Sequence, residues 1–496
     1  MRFVGSLVAT TLAIYALSAQ ASDDHSESAE TRTYTNETPI TFTANDGQST
    51  EAFSGHFWVP ENRNNPQSRK IRINYVRFAA TGDVQGPPMV YLAGGPGGSG
   101  IGTAKRRRFP LFMAMREFGD VIALDQRGTG ESEKAPRCDS SVTIPLKEVV
   151  TAKAFAQGYQ QAARECLARW REQGIDVYGY TTVQNAWDIN DLRQHLNARQ
   201  VNLWGISYGS HLALTAMKLF PEQINRAILA SAEGLNQTVK LPAHTDAYFA
   251  RVQQVIDQQP LKSAVADLPA LVKRVHRRLH EAPLKLAIPK KDASEQQMLF
   301  QAHHMQRLAG MMIADPNQYL AMLIRTYTEL DKGNTRTLTG VLQRGIFQDK
   351  PLSFSLMSLA MDMASGITPA RLKLVTRQAE SSLLGTWLNF PMPALNRLDE
   401  KLDLGNAFRS APQSSIPTLL FTGTLDGRTY PEGQKAAVRG LSNLTQVKVV
   451  YGGHNLFMSS PEVLENMQFF MQNKALPNTT ITLPLPKLSL QEIASR

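Results

Sequence analysis

Apolar and polar positions along the chain follow two rhythms that change place several times. In residues 39–80 the segments "PITFTA", "AFSGHFWV" and "RKIRINYVRFAA" alternate, with turn residues between them. That is the pattern of antiparallel strands with one buried face. From residue 89 the apolar runs become continuous, and "MVYLA", "DVIALD", "VNLWGI" and "RAILASA" read as strands buried on both faces. Helix-length stretches with 3.6-type periodicity separate several of them, including "AFAQGYQQAARECLARWREQ" and "NAWDINDLRQHLN". Buried strands alternating with helices predict an α/β layer fold on a mostly parallel sheet.

At about residue 235 the strand rhythm stops. Residues 235–405 carry amphipathic helical stretches, among them "AYFARVQQVIDQQ", "LPALVKRVHRRLH" and "PNQYLAMLIRTYTEL", broken by proline and glycine. Strand-type runs return in "IPTLLFTG" and "TQVKVVYGG". A helical block inside a sheet that later resumes predicts a cap over an active site. The core then falls in two parts, 22–234 and 406–496, around an insertion at 235–405. An independent second domain is the alternative, but the later strands would then need a sheet of their own.

The ends and the charge add compartment and partners. Arg2, the apolar run "FVGSLVATTLAIYAL" and the small residues Ala19 and Ala21 have the layout of a cleaved secretory signal, 1–21. The mature chain is expected to be exported, periplasmic or secreted. A retained anchor is the alternative, although the run is short for a membrane span and no other stretch is long enough. The net charge is +10, or +9 once Arg2 is removed with the signal, and basic runs stand at "KRRR" (105–108) and "KRVHRR" (273–278). No aromatic stacking platform interleaves them, so they read as solvated faces and nucleic acid is set aside. The two cysteines, Cys138 and Cys166, cannot make a zinc site alone. Export permits a disulfide between them; two buried thiols are the alternative.

The chemistry concentrates in "VNLWGISYGSHLALTAM". It contains G-x-S-x-G as Gly205, Ile206, Ser207, Tyr208 and Gly209, after a buried strand and before a helix. Strand, tight turn and helix form the setting of a nucleophile elbow, in which the residues two before and two after the serine must be small. A serine hydroxyl needs a base, and the base needs an acid to orient it. In this type of fold the partners follow in the order acid, then histidine, in loops after later strands. Asp426 in "IPTLLFTGTLDGRT" and His454 in "VKVVYGGHNLF" occupy those places. His195 and His211 fall on helices flanking the elbow and read as packing or surface residues. His303 and His304 are adjacent on a helix, which faces them apart, so no metal site is expected there.

An acyl intermediate also needs donors for its oxyanion: the backbone N–H of Tyr208, and a second from a glycine-rich loop after an earlier strand. "MVYLAGGPGGSG" is such a loop, and the N–H of Gly95 is the candidate donor. The same string holds a literal G-x-G-x-x-G at Gly95, Gly97 and Gly100, with Asp125 ending a later strand, so a dinucleotide cradle is the competing reading. The downstream serine, aspartate and histidine favour the oxyanion role.

With "GGPGGSG" (94–100), "DQRGTGES" (125–132), "WGISYGS" (204–210), "GTLDGRTYP" (423–431) and "GGH" (452–454) in this order, the chain resembles the α/β-hydrolase superfamily. The resemblance points to its proline iminopeptidase and tripeptidyl aminopeptidase branch. Such enzymes release one or a few residues from peptide N-termini through a serine triad, with no cofactor or metal. Acidic residues near the pocket commonly bind the free amine, and Glu233 and Asp362 are the candidates here. Ala93 stands where the iminopeptidases usually carry histidine, and T-Y-P stands where T-P is usual. The expected substrate is a short peptide, with a small ester or amide as the alternative on the same machinery. A nucleotide-dependent oxidoreductase and a hydrolase-like binding protein without catalysis are more distant readings.

Overall fold

A computed structural model of the chain describes residues 33–83 and 86–490; the expected signal, 1–21, lies outside the described residues. The first strands are β1 (Glu37–Thr43), β2 (Ser49–Pro60), β3 (Lys70–Phe78), β4 (Met89–Leu92), β5 (Val121–Leu124), β6 (Cys138–Thr143), β7 (Val201–Ile206) and β8 (Ile224–Ala230). There follow β9 (Leu284–Pro289), β10 (Glu295–Phe300), β11 (Pro351–Phe354), β12 (Thr418–Gly423), β13 (Leu444–Val450) and β14 (Thr480–Thr482). Ten of them form one sheet in the order β1-β2-β3-β5-β4-β7-β8-β12-β13-β14. The three N-terminal strands are antiparallel to one another, and β3 is antiparallel to β5. Every other pairing in the sheet is parallel. The alternating and the continuous runs therefore become the antiparallel and the parallel halves of one sheet.

The reason lies in which faces are covered. Every residue of β4, β5 and β7 is buried. Val90, Leu92 and Leu203 enter the core on one face, while Tyr91, Trp204 and Ile206 enter the core on the other. Full burial of one such aliphatic side chain contributes about 1.5–3 kcal/mol, so these strands have no solvent-facing register open to them.

The reading of 235–405 as strand-free is corrected. Helices dominate it, but β9 and β10 form a hairpin, with Lys290 N–H donating to Ser294 O at 2.8 Å across the turn. The strands are short, and their partners are each other, so a helical window masks their alternation. β11 pairs with β6, a strand the sequence pattern did not reveal, because its partner lies some two hundred residues away. One strand, β14, also follows the segment that had read as the last.

The inserted region builds a core of its own around Val252, Val272, Ile324 and Tyr327, which Leu425 and Tyr430 join from the loop after β12. Cys138 on β6 and Cys166 on the helix Ala152–Glu172 are joined by a disulfide spanning 28 residues. In the chain-entropy account a loop of that length stabilises the fold by about 3–4 kcal/mol. It ties that helix to the small β6–β11 sheet, and β11 leads directly into the helix Leu356–Ser365. Among the described residues, no helix is long and apolar enough to cross a membrane.

Candidate active site

Ser207 lies between β7 and the helix Tyr208–Leu219 with φ 57° and ψ −125°. A side-chain-bearing residue at that φ is strained, typically by about 1–3 kcal/mol, and persists only where its surroundings fix it. The two glycines of the motif supply that fixation. A Cβ on Gly205 would lie 2.6 Å from Gly209 O, and one on Gly209 would lie 2.0 Å from Leu92 O. The helix thus packs against its own strand and against β4 with no room for a methyl group. Tyr208 opens the helix, so its N–H has no acceptor within the helix.

The glycine-rich loop lies directly on this turn. A Cβ on Gly94 would meet Ser207 Cβ at 3.1 Å and Ser207 Oγ at 3.7 Å. Three anchors hold the loop: Gln126 Nε2 donates to Ala93 O at 2.9 Å, Ser358 Oγ donates to Pro96 O at 3.0 Å, and Ser99 Oγ donates to Asp125 Oδ1 at 2.5 Å. Asp125 also accepts from the N–H groups of Ile101 and Glu131. It is fully buried and turned inward on protein donors. Burial pushes its carboxyl up while these bonds oppose the shift. An acid buried in this way and committed to three protein donors is not presented to a ribose, which removes the structural basis of the dinucleotide reading.

Asp426 and His454 come together from the loops after β12 and β13. His454 Nδ1 is 3.1 Å from each oxygen of Asp426. The carboxylate also accepts from Arg428 N at 2.8 Å, Thr429 N at 2.9 Å, Thr429 Oγ1 at 2.7 Å and Gln434 Nε2 at 3.2 Å. Burial pushes Asp426 up, but His454 and these donors outweigh it and hold the carboxyl below its ordinary value. An ionised carboxylate only accepts, so Nδ1 carries the proton and Nε2 is left as the basic nitrogen. The backbone of His454 is itself pinned: its N–H donates to Ala314 O of the inserted region at 3.0 Å, and its carbonyl accepts from Ser231 Oγ at 2.8 Å. Ser207 Oγ does not hydrogen-bond His454 in this structure. Contacts of this kind often tighten only with substrate in place.

Ser207, His454, Gly95, Glu233 and Asp362 all line one cavity of about 520 Å³. The segment Leu388–Met392 also lines it. Glu233 is not a free acid, because Lys240 Nζ donates to its Oε2 at 2.6 Å. Asp362 makes no side-chain hydrogen bond among the described residues. Burial pushes its carboxyl up to about 7, with Glu233 adding to the shift and Lys240 opposing it. Lys240, Arg108, Arg428 and Asn455, which the sequence reading left out, line the same cavity. The signal for two of them was present: Arg428 stands within "GTLDGRTYP", and Arg108 ends the basic run.

The other singled-out histidines are structural. His195 Nε2 lies 3.0 Å from Tyr75 OH, and His211 bridges Gly234 O and Ser365 Oγ. The expectation that His303 and His304 face apart is corrected, since their ring centroids are 3.9 Å apart. His304 Nδ1 turns back to accept Gln301 N–H at the helix start, which brings its ring beside that of His303. Among the described residues no group of three His, Cys, Asp or Glu is placed to hold a metal ion.

The chain has similarities among known proteins. The tripeptidyl aminopeptidase of Streptomyces lividans is 28% identical over 186 residues, 36% of this chain and 34% of that protein. Serine protease Hip1 of Mycobacterium tuberculosis is 27% identical over 189 residues, 36% of each chain. The chain thus matches about a third of the length of these curated relatives. Among solved structures, an epoxide hydrolase from an endophytic Streptomyces aligns over 86% of this chain and 98% of its own, at 17% identity and a TM-score of 0.40. A model of the alpha/beta hydrolase fold matches residues 87–461, the whole span from the glycine-rich loop to beyond the histidine, and the chain belongs to that family.

Proposed function

We propose that the protein is an exported serine hydrolase, an aminopeptidase releasing N-terminal residues from short peptides. Ser207 attacks the carbonyl carbon as His454 Nε2 takes its proton, and Asp426 fixes the imidazole and stabilises it when charged. The N–H groups of Tyr208 and Gly95 receive the oxyanion. His454 then delivers the proton to the leaving amine and activates a water that hydrolyses the acyl-enzyme. The chemistry uses side chains and backbone amides alone.

One observation carries the peptidase reading: Asp362, an acid without an ion-pair partner among the described residues, lines the same cavity as Ser207 and His454. With Glu233 it offers a site for the ammonium of a peptide N-terminus, a few residues at most from the scissile bond. The pairing of Lys240 with Glu233 favours the alternative, an esterase or amidase acting on small substrates, because it satisfies one of the two acids internally.

A rate panel tests the proposal. Prolyl, alanyl and tripeptidyl anilides are compared with the same compounds acetylated at the amine, and with nitrophenyl esters, after fluorophosphonate labelling has been mapped to a residue. Labelling of Ser207 and a clear loss of rate on acetylation are expected. Equal rates on free and blocked amines would exclude the aminopeptidase, and label elsewhere would exclude the triad.

A further inference from the structure

Arg106 and Arg107 of the basic run are exposed, as its reading as a solvated face expects, but Arg108 at its end departs from that reading and lies beside the reaction. The glycine-rich loop leads into the short helix Gly100–Ala104, and the run forms the turn between that helix and the next, Phe109–Met115. This turn carries Arg108 into the wall of the catalytic cavity. The guanidinium donates to Tyr91 OH and to Asn455 Oδ1, and lies over the rings of Tyr91 and Phe457 with centroid distances of 5.7 and 5.6 Å. All these partners are neutral. The charge is held in place without being neutralised.

Its neighbours share that condition. Among the described residues, the only ion pair in the run is Lys105 with Glu131, at 3.7 Å. Among the described residues, no carboxylate lies within ion-pair distance of Arg106, Arg107, Arg108 or Arg428. Arg428 reaches the cavity from the Asp426 loop, with one guanidinium nitrogen on Gly310 O at 3.2 Å. A second cavity of about 230 Å³ opens beside the first, lined by Thr103, Arg106, Arg107, Arg108, Asn455 and Met458. Thr103, Arg108 and Asn455 line both cavities, whereas Glu233, Lys240 and Asp362 line only the catalytic one. The charges acting on Asp362 are Glu233 and Lys240, and neither arginine is among them. Asp362 and the Glu233–Lys240 pair therefore lie in a part of the catalytic cavity separate from the part that Arg108 shares with the second cavity.

The chemistry fixes which end receives the leaving group. In the mechanism above, His454 hands its proton to the departing nitrogen or oxygen, so that group sits against His454. Asn455 is the next residue, and Arg108 is hydrogen-bonded to it. We propose that Arg108 binds a carboxylate on the leaving group, with Arg106, Arg107 and Arg428 supplying surrounding positive potential. The preferred substrate is then a short zwitterionic peptide, its ammonium toward Asp362 and its free C-terminal carboxylate toward Arg108. This rests on Ser207 and His454 being the reacting pair. Charge-assisted contact between a fixed guanidinium and a carboxylate corresponds to roughly 10- to 100-fold in kcat/KM. Part of it is lost to salt, since potentials at this range are screened with a Debye length of about 10 Å at 0.1 M.

The test uses matched pairs on the full-length protein: peptides with a free C-terminus against their carboxamides, and acyl esters of 4-hydroxybenzoate against those of 4-hydroxybenzamide. The wild type is expected to favour the carboxylate member of each pair by at least 10-fold, and less as salt rises. In R108Q the ratio falls toward one, and in R428Q it falls part of the way. A carboxamide carrying aspartate just after the scissile bond separates a bound side-chain carboxylate from a bound terminus; the proposal expects the free terminus to be favoured. A wild-type ratio near one in both pairs overturns the proposal whether or not R108Q folds. Cleavage of peptides without carboxylate preference leaves the aminopeptidase standing and removes this inference. Carboxylate preference with the esters when no peptide is cleaved does the reverse, and failure of Ser207 to label removes both.

Discussion

Replacing Asp362 by asparagine tests the acid end of the cavity with two independent readouts. The substitution keeps the shape and removes the charge. Burial, reinforced by Glu233, pushes this carboxyl from 3.8 up to about 7. In the unfolded chain it returns to its ordinary value near 3.9. Between about pH 4 and pH 7 the folded state holds a proton that the unfolded state has released, so the carboxyl makes stability fall as pH rises through that window. About three pH units at about 1.4 kcal/mol each give about 4 kcal/mol as the largest cost, fully present at pH 8 and absent at pH 4. With an unfolding entropy near 2.1 cal/mol/K per residue, a chain of this size melts about 1 °C higher for each kcal/mol gained. Asp362→Asn should therefore melt up to about 4 °C above wild type at pH 8 and level with it at pH 4. The same variant should raise KM for free-amine peptides by roughly 10-fold or more while sparing their acetylated counterparts, as expected for loss of a charge-assisted contact. An unchanged or lower melting temperature at pH 8 would show that the charge is compensated within the fold. An unchanged KM would show that the amine binds elsewhere.

Three other outcomes follow from the geometry. Asp426→Asn leaves the cavity lining in place but no longer accepts from Nδ1–H alone, and it should lower kcat by about 10⁴, read with an activated ester. Ser207→Ala should remove fluorophosphonate labelling and most turnover while leaving the far-ultraviolet circular dichroism spectrum unchanged. Gly209→Ala sets a methyl group 2.0 Å from the Leu92 carbonyl and should destabilise by about 3 kcal/mol or more, seen as a lowered melting temperature or loss of soluble protein.

Much of the site was legible because the chemistry of an elbow is written locally. Gly205, Ser207 and Gly209 are a steric statement about one turn, and its setting between β7 and a helix can be read in a single window. Asp426 and His454 could be placed by order and by position after strands, since a parallel sheet presents the carboxyl ends of its strands to one side. Arg108 was read as solvated because a window of four basic residues carries no sign of the Tyr91 hydroxyl and Asn455 carboxamide that hold it. Lys240 was passed over for the same reason: its partner is seven residues away, across a turn that only the fold defines.

The sequence by itself determined the two-sided burial of β4, β5 and β7, the elbow and the order of its partners, because each follows from local periodicity or local sterics. Tertiary structure decided the rest. It paired β6 with β11, turned Asp125 inward onto the glycine-rich loop, let Lys240 neutralise Glu233 while Asp362 stayed without a partner among the described residues, and carried Arg108 and Arg428 into the wall of the cavity that His454 lines. All of these depend on which distant groups share a small volume of low dielectric, where one nearby charge or donor changes what a side chain does.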